Sequence, residues 1–197
     1  MRPEWRHAYD VGSAAGLQAL AADLAPHLRA GDLVVLSGEL GAGKTTFTQG
    51  LGRGLTVEDR IISPTFVLVR QHSATGRGPG LIHVDAYRLE SAAAVDDLDL
   101  ETTMAGNITV IEWGAGRVEH LSHSWLRVDI ARPLGRLQND GDDGDAGVDD
   151  GGGCGVRGNG GGRLTTEFDD GIDEVRTVTL SGFGPRWYGR QPALSLD

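Results

Sequence analysis

The chain is 197 residues long, carries a formal charge of −10 and contains one cysteine, Cys154. That length accommodates one α/β domain with a real core and excludes two ordinary ones, while a lone cysteine excludes an internal disulfide and fits a reducing compartment. Eleven of the acidic side chains fall within residues 139 to 174, against two arginines, so the acidity is local and the remainder is nearly neutral.

The opening residues MRPEWRHAYDVGSAAG lack the apolar centre of a signal peptide, and no run reaches the length that spans a bilayer. A soluble, cytoplasmic protein without a membrane partner is expected. A strand is predicted from Arg6 to Val11, and Ser13 reads as the N-cap of the helix SAAGLQALAADLAPHLRAG. Leu17, Leu20, Leu24 and Leu28 share one stripe of that helix, Pro26 loosens its last turn and Gly31 stops it. LVVLS, residues 33 to 37, is a continuous apolar run and predicts a strand buried on both faces; after a glycine loop, TTFTQGLGRGL predicts a helix.

Further strands are predicted at FVLVRQH (66 to 72) and LIHVDAYRL (81 to 89), separated by the turn ATGRGPG, then at NITVIEW (107 to 113), HSWLRVDIA (123 to 131) and EVRTVTLSGF (174 to 183). Between the last two lies the stretch 139–173. Eleven of residues 139 to 163 are glycine and six are aspartate, too little apolar surface to offset the entropy of ordering them, so a disordered Gly/Asp-rich insert within the last hairpin is expected. The order of elements predicts one α/β domain over residues 1–197: a mostly parallel central sheet flanked by helices, with an antiparallel C-terminal hairpin.

Residues 38 to 46, GELGAGKTT, hold Lys44, the only lysine beside 17 arginines. Gly38, Gly43, Lys44 and Thr45 satisfy G-x-x-x-x-G-K-[ST]. In that pattern glycines let backbone N–H groups turn inward around phosphates, the following helix points its positive end at them, the lysine neutralises β and γ oxygens, and the hydroxyl ligates Mg2+. Glu39, Leu40, Gly41, Ala42, Gly43, Lys44, Thr45 and Thr46 are therefore the candidate phosphate cradle. A compact ammonium fits such a loop and a planar guanidinium does not, which accounts for a lysine surviving at this position alone.

A phosphate loop also needs a carboxylate at a neighbouring strand end to hold magnesium, directly or through water. Asp85 after LIHV and Glu112 after ITVI both qualify, singly or together. His83 lies two residues before Asp85 on the same strand face, where it either orders the site or is a satisfied, half-buried histidine. Ser63-Pro64-Thr65 reads as turn chemistry, or as a sensor of the γ-phosphate.

With these residues located, the chain resembles the bacterial TsaE family, small P-loop ATPases of tRNA threonylcarbamoyladenosine synthesis. The resemblance rests on GELGAGKTTF (38 to 47), SPTF (63 to 66), HVDAYRL (83 to 89) and IEW (111 to 113), in that order, and resumes near RTVTLSGFGPRW. It implies that Thr45 and Glu112 coordinate magnesium, that Asp85 positions water or metal, that Thr65 lies in a switch segment beside the γ-phosphate, and that Trp113 lies close to bound ATP or ADP. Lys44, Asp85 and Glu112 are then the catalytic set. Many relatives continue after the tryptophan with proline and an acid, whereas this chain has Gly114-Ala115-Gly116.

The resemblance further implies docking on a complex of TsaD and TsaB homologues that transfers a threonylcarbamoyl group to adenosine 37 of tRNA. Weak ATP hydrolysis would reset that complex, and tRNA would be met only through it; no DNA is expected as a partner. A guanine reader N-K-x-D is absent from the sequence, which favours adenine. A small-molecule kinase is the rival enzymatic reading, with Arg77 in the ATGRGPG turn as its one candidate lid arginine. Arg88, Arg117, Arg127, Arg132 and Arg136 are scattered and form no aromatic-interleaved basic patch of the kind that binds RNA.

Overall fold

A computed structural model describes residues 1–58, 60–132 and 175–194. The Gly/Asp-rich stretch 139–173 lies outside the described residues. In chain order the strands are β1 (Trp5–Val11), β2 (Leu33–Ser37), β3 (Val69–His72), β4 (Gly80–Asp85), β5 (Asn107–Glu112), β6 (Trp125–Ala131) and β7 (Arg176–Phe183). The helices are α1 (Ala14–Leu24), α2 (Lys44–Gly54), α3 (Ala92–Asp96) and α4 (Glu101–Met104). All seven strands join one sheet in the order β1-β7-β6-β2-β5-β4-β3.

The sheet has a parallel centre and antiparallel edges. β2 pairs in parallel with β5 and β6, and β5 with β4; β3 closes one edge antiparallel to β4, while β7 and β1 extend the other. The predicted parallel centre and C-terminal hairpin are both present, and β3 adds a second antiparallel margin. β2 occupies the middle, and its side chains alternate between two cores. Val34 and Leu36 enter the core beneath α1 and α2 with Leu17, Leu20, Phe47 and Leu51, whereas Leu33 and Val35 enter the opposite core with Val95, Met104 and Val118. Both faces of the strand are thus covered, as its uninterrupted apolar sequence requires.

Helix α1 begins where the sequence indicates: Ser13 is extended and its Oγ accepts from the Gly16 N–H at 3.0 Å. Its regular turns end at Leu24, and Pro26 lies in a 3-10 turn over Ala25–His27. All four predicted stripe leucines are buried. Helices α1 and α2 approach so closely that a Cβ on Gly50 would lie 2.3 Å from the Gln18 carbonyl oxygen. Gly50→Val is therefore expected to force the helices apart and lower stability by about 1–3 kcal/mol, read as a reduced urea midpoint. An unchanged midpoint would mean that the helices yield freely.

Two strand predictions need correction. FVLVRQH contributes only Val69–His72 to the sheet. Before that, the Pro64 carbonyl accepts from the N–H groups of both Val67 and Leu68, Leu68 sits at φ 64, and Phe66 is 91% exposed, so residues 64–68 form a tight turn. LIHVDAYRL ends as a strand at Asp85, after which the Asp85 carboxylate accepts from the Tyr87 N–H at 3.0 Å and turns the chain away from the sheet. Among the described residues no helix is long and apolar enough to cross a membrane.

Candidate functional site

The loop between β2 and α2 leaves the sheet at the C-terminal edge of its central strand. Gly43, the residue before α2, has φ 110, a backbone conformation that favours glycine, and a Cβ there would also stand 2.6 Å from Leu17 Cδ2. Leu40 stands 86% exposed at the loop's tip, Ala42 is buried beneath it, and Thr46 lies half-buried in the first turn of α2. The first N–H groups of α2, unpaired within the helix, point out of its N-terminus with the positive end of the helix dipole.

Lys44 is 5% exposed and is held inside this loop. Its Nζ donates to the carbonyls of Gly38 and Glu39, each at 2.9 Å, and lies 3.6 Å from the ring centroid of Trp113. Burial pushes its pKa below the ordinary lysine value, and the Glu112 and Asp85 carboxylates pull it back up. The ammonium is thus stripped of most of its water, and two acids oppose the shift that burial imposes.

Those acids come from adjacent parallel strands. Asp85 and Glu112 are register partners at the ends of β4 and β5, each 3% exposed, facing α2. The Thr45 hydroxyl donates to Glu112 Oε1 at 3.0 Å, joining positions 67 residues apart. His83, buried rather than half-buried, places Nε2 2.7 Å from the same oxygen. Asp85 Oδ2 accepts from Thr65 Oγ1 at 2.6 Å and, at 3.3 Å, from Ser63 Oγ, so the SPTF turn is fastened to a strand-end carboxylate.

Trp113 follows β5 at φ 64, a left-handed conformation uncommon for a bulky residue. Its N–H donates to the Leu36 carbonyl at 3.1 Å, its ring meets Tyr87 edge-on at 5.1 Å, and the Arg117 guanidinium donates to the carbonyls of Trp113 and Leu89. Lys44, Thr45, Thr65, Asp85, Glu112 and Trp113 therefore gather at one end of the parallel strands. Sequence reasoning missed Tyr87 and Arg117 as supports of Trp113. The spacing of Tyr87, two residues past Asp85, was a usable signal; nothing local marked Arg117.

Among the described residues no group of three His, Cys, Asp or Glu side chains is arranged to hold a metal. The donors at the loop are instead the Thr45 hydroxyl and the Glu112 carboxylate, with Asp85 beside them. Such a sparse, hard, all-oxygen set suits Mg2+, which keeps several waters and takes further ligands from phosphate.

A glycine loop joining a doubly buried parallel strand to a helix, with strand-end carboxylates opposite its lysine, defines a P-loop NTPase-like α/β protein. The family model for "Threonylcarbamoyl adenosine biosynthesis protein TsaE" matches residues 11–137, and the chain belongs to the TsaE family. It is 43% identical over 172 residues to the TsaE protein of Streptomyces coelicolor, covering 87% of this chain and 93% of that one. Against the TsaE protein of Mycobacterium leprae it is 45% identical over 121 residues, covering 58% and 75% of the two chains. The crystal structure of Bacillus subtilis YdiB shares the fold, with a TM-score of 0.59 and 23% identity over 93% of this chain and 89% of that one.

Proposed function

We propose that the protein is a cytoplasmic, Mg2+-dependent ATPase that serves tRNA N6-threonylcarbamoyladenosine synthesis by resetting a complex of TsaB and TsaD homologues between turnovers. The observation that carries the enzymatic part is the junction of Thr45 and Glu112, 3.0 Å apart, beside the buried Lys44 ammonium. Family membership supports the pathway.

In this reading the N-terminal amides of α2 and the loop amides from Glu39 to Thr46 bind the phosphates. Lys44 gives up the carbonyls of Gly38 and Glu39 for β and γ oxygens. Thr45 and Glu112 hold Mg2+, which when bound neutralises charge on the phosphates and screens the developing negative charge of transfer. Asp85 orients the attacking water, and its bonds from Ser63 and Thr65 couple that carboxylate to the SPTF turn. Loss or gain of a γ-phosphate beside Thr65 would then change the turn's conformation, which a docked partner reads. Trp113 covers the ammonium and lies against the nucleotide.

The placement of Arg77 weighs against the kinase reading. Its turn joins β3 to the N-terminal end of β4, whereas Asp85 ends that strand, roughly 20 Å away at strand rise. Phosphate release measured alone, with TsaB and TsaD homologues together, and with a panel of small hydroxyl acceptors tests the proposal. Slow release that the two proteins accelerate is expected; release that rises only with an acceptor, while that acceptor becomes phosphorylated, would overturn it.

A further inference from the structure

His83 is a buried polar group in the site to which the mechanism above gives no task. It is 0% exposed, so its imidazole has lost its water entirely. Nε2 stands 2.7 Å from Glu112 Oε1, and Nδ1 has no hydrogen-bond partner among the described residues. A buried polar ring left half unsatisfied is costly, and an aromatic hydrocarbon would fill the same volume without that cost. The single short bond to a carboxylate is thus the only polar return the structure shows for this side chain.

The partner also matters. Among the described residues the Glu112 carboxylate accepts from two side chains, Thr45 and His83. Thr45 is itself a proposed metal ligand, and its hydroxyl can offer a lone pair to the cation while donating to the carboxylate. His83 is the side-chain donor on Oε1 that is not itself a proposed metal ligand. It faces Val110 across the β4–β5 pair and reaches forward along the strands to Glu112, an approach fixed by register and not by a mobile loop.

We propose that His83 is a positioning residue: its Nε2–H fixes the rotamer of Glu112 and turns the carboxylate toward the cation held with Thr45. The proposal rests on the reading of Glu112 as the metal carboxylate. Partners that orient a ligating carboxylate typically cost 10- to 100-fold in metal affinity when removed, so an effect of about that size is expected.

The test is the Mg2+ half-saturation concentration for binding a non-hydrolysable ATP analogue, followed by Trp113 emission, in parent, His83→Phe, His83→Gln and Glu112→Gln proteins. His83→Phe is expected to raise it about 10- to 100-fold while leaving Mg2+-free analogue affinity within about twofold. His83→Gln, whose amide can donate to the same oxygen, should recover most of the loss. If Glu112→Gln raises the half-saturation and His83→Phe does not, His83 fills space only and the inference falls alone. If Glu112→Gln also has no effect, the metal reading itself has failed. Should His83→Phe not fold, His83→Asn replaces it: its shorter amide falls short of Glu112, so equal values for Asn and Gln would overturn the proposal.

Discussion

Lys44→Ala is expected to weaken ATP binding roughly 100-fold, from about 3 kcal/mol for the charged hydrogen bonds lost and 1.4 kcal/mol per tenfold. The starting point makes the size of this effect intelligible. The ammonium is already desolvated, 5% exposed, and its present partners are two backbone carbonyls and an indole face. Exchange of neutral carbonyls for phosphate oxygens therefore replaces dipoles by full negative charge, with little further loss of water. Lys44→Arg should not restore binding, because the planar fork cannot fold back inside a loop closed by Gly38 and Gly43. Calorimetry is the suitable measurement, since removal of a cation 3.6 Å from the Trp113 ring will itself alter emission. Parent-like affinity in Lys44→Ala would show that the loop does not hold the triphosphate.

The second large effect is expected at Glu112. Glu112→Gln keeps an acceptor for Thr45 and His83 but removes the charge that holds Mg2+, and metal stabilisation of phosphoryl transfer is worth several kcal/mol. Phosphate release in the presence of TsaB and TsaD homologues should fall roughly 100- to 1000-fold. The melting temperature should stay close to that of the parent, because shape and hydrogen bonding survive. Undiminished release would exclude Glu112 as the principal metal carboxylate and leave Asp85 to carry that role.

The sequence was most informative where one strand or helix carries its own signal. LVVLS announces a strand covered on both faces, and β2 is the central strand; Ser13 announces a helix start, and its hydroxyl caps α1. Failure came where bonds from outside a segment override its composition. FVLVRQH has the composition of a strand, yet the Pro64 carbonyl draws the next residues into a turn that leaves Phe66 in solvent. Helices α3 and α4, five and four residues long, are too short to display a 3.6-residue period and were not anticipated. The β1–β7 pairing joins the two ends of the chain, a register no local signal encodes.

The site divides in the same way. Gly38, Lys44 and Thr45 are legible because one contiguous motif contains them, and Asp85 and Glu112 because each ends an apolar run. Which carboxylate meets which hydroxyl is not legible from spacing, which leaves Asp85 and Glu112 equivalent, although the family resemblance pairs Thr45 with Glu112. Glu112 takes Thr45 while Asp85 takes Thr65, in the sheet order β2-β5-β4. The left-handed backbone at Trp113 likewise goes with a bond to the carbonyl of Leu36, distant in sequence, and with the Arg117 guanidinium four residues on.

The central claim is that the loop from Gly38 to Thr46 grips a triphosphate while Thr45 and Glu112 hold its cation. A crystal structure grown with a non-hydrolysable ATP analogue and Mg2+ tests it most directly. The account predicts β and γ phosphates over the N-terminus of α2, Lys44 Nζ moved from the carbonyls of Gly38 and Glu39 onto their oxygens, and the cation bound by Thr45 and Glu112. An analogue seated elsewhere, with Lys44 still on those carbonyls, would contradict it.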